Sequence, residues 1–303
     1  MIQINQRVGR KIYCQLQIKW QCDWRADMFK DLLVPMTGTP GDTDALNMAI
    51  DLATQLDAHL SILELVNLPM LTTGPWGLIP GDMVDLYKTL RQQGERNVAA
   101  LKVRMEKEPV SSEIRIVESL FVEPYQMAAH CAHYADLTIV AGSVADAADT
   151  HAYVGSLLVE SGRPVLVVPP RCKLPMPPRR IVAAWKPTRE ATRAFHDALP
   201  LFRTADIVDV VVFNPTSGER ADGEQPGADI ATHLARHGVN VNVVMLQTGN
   251  DSIGFALNQH AESISAQLLV AGGYGHSRIR EWALGGTTED LLREASVPVL
   301  FSH

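Results

Sequence analysis

Glycines, hydroxyls and cations crowd one stretch of this sequence. "GGYGHSRIREWALGG" runs from Gly272 to Gly286, directly after the apolar run "QLLVA", and Thr287 and Thr288 follow it. A phosphate oxygen needs hydrogen-bond donors. Backbone N–H groups at the start of a helix supply them, together with a favourable dipole. A Cβ near such a turn would hold the phosphate away. Gly272 and Gly275 are therefore expected to release the chain from a strand, and Gly285 and Gly286 to let the returning arm approach. Thr287 and Thr288 offer hydroxyls. His276 and Arg278 add charge, the arginine with two parallel donors. The competing reading is that these glycines serve only tight strand–helix packing. Other phosphate motifs are missing: there is no GxxxxGK[ST], and "GGYGHS" lacks the third glycine of GxGxxG.

The elements that must position this stretch can be read from periodicity. From Met28 onward, short apolar β-branched runs alternate with helical periods: "DLLVPM" (31–36), "HLSILELV" (59–66), "SEIRIVES" (112–119), "LTIVAG" (137–142) and "PVLVVP" (164–169). Helices are expected over about 42–56, 83–107, 122–134 and 148–161 between them. Then comes "PPRCKLPMPPRR" (169–180), in which five of twelve residues are proline and four are basic, a linker signature. The pattern restarts with "RIVAAW" (180–185), "IVDVVVF" (207–213), "VNVNVVML" (239–246), "QLLVAG" (267–272) and "VPVLFS" (297–302). Helices are expected over about 188–202, 227–237, 251–263 and 279–294. Both halves share one order of elements and both end in "PVL", which marks an internal duplication. Strands separated by helices predict an α/β fold of two tandem, doubly wound parallel sheets of five strands. The expected organisation is an extension over 1–27 that folding does not need, a first domain over 28–169, a linker over 170–179 and a second domain over 180–303. The two final strands are edges that need cover, so they are expected to pair antiparallel across the halves as an internal pseudo-dimer.

Composition narrows the function classes. The chain has 303 residues, 46% hydrophobic and 20% charged, with a formal charge of −7. Either half is long enough to bury its own core. An acidic balance argues against nucleic acid or an anionic membrane surface as partner. No run of eighteen apolar residues exists, and the start of the chain does not read as a signal peptide. Four cysteines without CxxC spacing fit a reducing cytosol, so a cytoplasmic location is expected. His130 and His133 lie three apart on one predicted helix, but nothing nearby supplies further ligands, and no metal site is expected.

The spacing Gly272, two residues, Gly275, nine residues, Gly285 resembles the G-2x-G-9x-G-(S/T) signature of the universal stress protein family. "IVAAWKPTREA" resembles that family's opening strand and first helix, and "VPVLFS" its closing strand. The resemblance covers about 28–303 as two family domains. It implies a Rossmann-like sheet of the adenine nucleotide alpha hydrolase-like type, with strand order 3-2-1-4-5. In ATP-binding members this loop wraps the ribose and phosphates. The resemblance therefore implies an adenine nucleotide, ATP or AMP, with Mg at most as its companion. The implied lining is Ala184, Trp185 and Lys186 at the end of the first strand, Ala271, Gly272, Gly275, His276 and Arg278 after the fourth, and Gly285, Gly286, Thr287 and Thr288 on the returning arm.

The sequence departs from the family pattern in three places. The Asp that ends the first strand in nucleotide-binding members is Lys186 here, and Thr37 in the first half. Gly286 takes the Ser/Thr position of the motif. In the first half, Gly142 and Gly155–Ser156 keep the interval with Ala145 in place of the second glycine, whereas anchoring on "PVL" puts His151 where Gly285 belongs. The second alignment makes Gly155–Ser156 a pair inside a helix, and the first half a scaffold without a phosphate loop. Two classes of function follow. One is a cytosolic stress-response protein that binds an adenine nucleotide in its second half. The other is a family member without nucleotide that acts by interaction, its two domains forming a pseudo-dimer and a homodimer remaining open. Slow hydrolysis of ATP or another phosphoester is the most chemistry either reading carries, since no catalytic constellation is present.

Overall fold

The computed structural model describes residues 25, 28–69, 81–142, 147–215, 226–273 and 286–303. Nearly all of the expected extension over 1–27, and residues 70–80, 143–146, 216–225 and 274–285, lie outside the described residues, and with them the expectations placed there. The first half runs β1 (Asp31–Met36), α1 (Asp42–Leu56), β2 (His59–Asn67), α2 (Gly81–Met105), β3 (Ser112–Ser119), α3 (Pro124–Ala132), β4 (Leu137–Ala141), α4 (Ala147–Ser161) and β5 (Val165–Val168). The second half runs β6 (Arg180–Trp185), α5 (Arg189–Asp197), α6 (Leu199–Thr204), β7 (Ile207–Phe213), α7 (Ala228–Arg236), β8 (Val241–Leu246), α8 (Ile253–Ser263), β9 (Leu268–Gly272), α9 (Gly286–Glu294) and β10 (Val299–Ser302).

Each half has the expected strand order, 3-2-1-4-5, but the two sheets are one. Ten strands run β3-β2-β1-β4-β5-β10-β9-β6-β7-β8. All pairings are parallel except that of β5 with β10, where Val299 faces Val167 and Leu300 faces Leu166. Edge pairing joins the halves because both strands are short, apolar and uncharged, and an open edge of that kind is costly. Val165, Leu166, Val167, Val299, Leu300 and Phe301 are each at most 2% exposed. Burying each contributes about 1.5–3 kcal/mol.

Alternation along the strands builds a core on each face of the sheet. Leu32, Ile62, Ile181, Val210 and Leu300 point to one face, under Leu46 and Leu56 of α1, Phe195 of α5 and Phe202 of α6. Leu33, Val140, Val182, Val211 and Phe301 point to the other, under Ala129 of α3, Leu157 of α4, Leu257 of α8 and Leu292 of α9. Both clusters cross from one half to the other. The helix expected over 188–202 is interrupted at Ala198, between α5 and α6. Pro200 has no N–H to donate into a continuing helix, so the chain starts a new one. The proline-rich connection is packed rather than spacer-like. Leu174 is 4% exposed, and Met176 N–H donates to Gln55 Oε1 at 2.9 Å.

Candidate functional site

In an open parallel sheet the crevice lies where strand order reverses, at the carboxyl ends of the strands. In the second half that point lies between β6 and β9, the two neighbours that lead into α5 and α9. One arm of the crevice is the turn from β6 into α5. Trp185 is half-buried there, its ring centroid 4.9 Å from that of Phe195, so it packs toward α5. Ala184 lies on the opposite face, against the second core. Lys186 is exposed. Thr188 caps α5, its Oγ1 accepting from Ala191 N–H at 3.3 Å. Burial pushes the Glu190 carboxyl up. Its own backbone N–H, the Thr188 hydroxyl and the neighbouring His303 and Arg189 side chains outweigh that push and hold it below the usual range.

The other arm leaves β9. Ala271 is buried, and Gly272 has a packing role that is visible directly. A Cβ on Gly272 would lie 2.6 Å from Ala191 N and 2.7 Å from the Glu190 carbonyl carbon. Only a residue without Cβ lets the start of α5 approach this strand so closely. The first half solves the same approach from the other side. Leu32 pairs with Leu137 and Ile181 with Leu268, so Ala141 is the counterpart of Gly272. There the glycine is Gly41, before α1, and a Cβ on it would lie 2.5 Å from Ala141 Cβ. The counterpart of Gly142 is therefore Gly273, which corrects the alignment that matched Gly142 to Gly272. Gly155 and Ser156 lie inside α4, where Ser156 Oγ donates to Glu160 Oε1 at 3.0 Å. His151 is also on α4. Burial pushes its imidazole below the usual value, Glu289 raises it and Arg293 lowers it, so it faces α9 of the other half.

Gly273 roots the second arm. Its N–H donates to the Ser302 carbonyl at 2.9 Å, as Gly142 N–H donates to the Val168 carbonyl at 2.8 Å. Its carbonyl accepts from His303 Nδ1 at 3.1 Å. Gly275, His276, Arg278 and Gly285 lie outside the described residues. The arm returns at Gly286, exposed and with open space where a Cβ would stand. Thr287 is half-buried and Thr288 is 4% exposed, in the first turn of α9.

In the first half the equivalent turn is filled by the chain itself. Asp42 accepts from Thr37 Oγ1 at 2.7 Å and from Gly38 N–H at 2.8 Å. Burial nevertheless raises its carboxyl above the ordinary value. Glu64, within β2, accepts from Asn97 Nδ2 at 2.7 Å, and burial with the nearby Asp42 charge raises it too. Sequence reasoning missed this pair, and also the network in which the buried Asp209 accepts from His260 Nε2 at 2.8 Å and from Asn242 Nδ2 at 3.0 Å. The signal was a lone acid in an otherwise apolar strand, "SILELV" and "IVDVVVF". Arg189 and His303 carried no signal of their own. Among the described residues no three His, Cys, Asp or Glu side chains converge as a metal site, and no helix is long and apolar enough to cross a membrane.

Residues 178–303 match the profile described as the universal stress protein family. A universal stress protein of Archaeoglobus fulgidus superposes with a TM-score of 0.64 at 15% identity, over 89% of this chain and 95% of its own. A Pseudomonas aeruginosa protein described under the same family superposes with a TM-score of 0.53 at 16% identity, over 91% and 93%. At such identities the likeness is one of fold. A universal stress protein of Synechocystis sp. is 44% identical over 45 residues, 15% of this chain and only 16% of that relative's length.

Proposed function

Because the chain belongs to the universal stress protein family through residues 178–303 and carries its fold twice, we propose that it binds an adenine nucleotide at the carboxyl ends of β6 and β9. The observation that carries this reading is the switch point itself. The chain leaves β9 there at Gly273, and the first turn of α9 begins at Gly286, which leaves open space beside Thr287 and Thr288. Backbone N–H groups of that turn would meet phosphate oxygens, with Lys186 and Arg189 adding positive charge from the opposite arm. Gly275, His276, Arg278 and Gly285 belong to the same proposed lining, with Ala184, Trp185, Ala271 and Gly272 as its packed walls. ATP or AMP is the ligand class, Mg a companion of ATP, and the cytoplasm the expected location. The protein would act in a stress response by binding and changing partners. Asp42 already occupies the equivalent turn of the first half, so binding is proposed for the second half alone, with 28–169 and 180–303 as its two domains and 170–179 between them.

A second reading has its own support. Gly272 is required by packing alone, and Lys186 replaces the acid that the family resemblance implies. On that reading the protein is an interaction partner without nucleotide. Calorimetric titration with ATP and AMP, together with mass spectrometry of molecules released from denatured protein, separates the two. Binding near one nucleotide per chain supports the first. No binding at millimolar nucleotide leaves the second.

A further inference from the structure

One side chain touches both arms of the crevice. His303 Nδ1 lies 3.1 Å from the Gly273 carbonyl oxygen, and its Nε2 lies 3.0 Å from Arg189 Nη2. A carbonyl only accepts and a guanidinium only donates. A single protonation state satisfies both contacts: a neutral imidazole with its proton on Nδ1 and a lone pair on Nε2. The other neutral tautomer would set a lone pair against the Gly273 oxygen and an N–H against Arg189. The imidazolium would keep Gly273 but place a second cation against the guanidinium. Arg189 and Glu190 are the charged groups that α5 brings to this histidine, and β9 and β10 carry none. Arg189 needs such a hold. Its side chain is 74% exposed, and its contact with Glu190 is a 3.5 Å ion pair. An exposed arginine otherwise loses rotamer entropy when a ligand fixes it.

We propose that His303 is a positioning residue for the crevice. As the Nδ1-protonated imidazole it ties the root of the β9–α9 arm to Arg189 on the β6–α5 arm, and holds that guanidinium for an anionic ligand of the phosphate class. The ligand half rests on the nucleotide reading; the tie does not.

The tie is tested by long-range proton–nitrogen spectra of the full chain, with His303 assigned by its loss in His303→Asn. The expected result is a pyrrole-type Nδ1 and a pyridine-type Nε2, reverting to a tautomer mixture in Arg189→Ala. A dominant Nε2-protonated form, or a spectrum that Arg189→Ala leaves unchanged, overturns the tie. The positioning role is tested by titrating ATP. His303→Ala should bind about twofold to tenfold more weakly, the range that loss of one ordinary hydrogen bond produces. His303→Gln keeps an acceptor at the ε position for Arg189 and should recover part of that loss, with the two thermal midpoints recorded alongside. Unchanged affinity in His303→Ala, or equal losses in both variants, overturns the role. If the unaltered chain binds no ATP, the nucleotide reading and the ligand half fall together, and the spectra still decide the tie.

Discussion

Gly41 and Ala141 allow the sharpest test of how the sheet receives its first helix. A Cβ added to Gly41 would lie 2.5 Å from Ala141 Cβ, and its next neighbours are 3.9 Å away. The clash is thus with one methyl carbon. Gly41 has φ −75 and ψ −13, which alanine adopts freely. Gly41→Ala should therefore gain about 0.4–1 kcal/mol from a stiffer unfolded chain and lose about 1–3 kcal/mol to overpacking, a net loss of roughly 0.5–2 kcal/mol. Ala141→Gly alone should cost about 1–2 kcal/mol, from glycine in a strand and one lost buried methyl. In the double variant the clash is absent, because the glycine now stands on the strand, as Gly272 does in the second half. It should be more stable than the sum of the single changes by about 1–3 kcal/mol, a coupling that a double-mutant cycle measures directly. Urea unfolding of the four proteins followed by circular dichroism is the assay. If Gly41→Ala is no less stable than the unaltered chain, or if the two changes add without coupling, the packing argument is wrong.

Further outcomes follow from the same geometry. Gly272→Ala should destabilise more than Gly41→Ala, because its new Cβ meets the backbone of Glu190 and Ala191, and Glu190→Gly should not rescue it; thermal midpoints of the two variants decide. His260→Ala should cost about 1–3 kcal/mol by leaving the buried Asp209 carboxylate short of a hydrogen-bond donor, and the His260→Leu, Asp209→Ala pair should cost less than that single change in denaturant titrations. Burial raises Asp42 and Glu64 above their ordinary values of 3.8 and 4.5, so the folded chain holds these protons more tightly than the unfolded chain. Their ionisation then removes stability as pH climbs from those values through the raised ones. The midpoint of Asp42→Asn or Glu64→Gln, relative to the unaltered chain, should rise as pH climbs above those ordinary values, and a flat or falling difference refutes the sign.

The amino-acid sequence by itself determined the alternation of strands and helices and the duplication, which depend on local periodicity. The strand order came only through the family resemblance. "PVLVVP" and "PVLFS" also announced their own pairing, because two uncharged apolar edges have few other ways to leave water. Tertiary structure alone decided what each glycine is for. Gly41 and Gly272 are spaced by different rules in the sequence, yet they relieve one and the same approach of helix to strand, and only the register of β4 and β9 reveals it. The same holds for Asp42, Glu64, Asp209 and His303. Their partners lie between 4 and 114 residues away, and a hydrogen bond depends on distance in space, which strand order and helix packing set after every local preference has been satisfied.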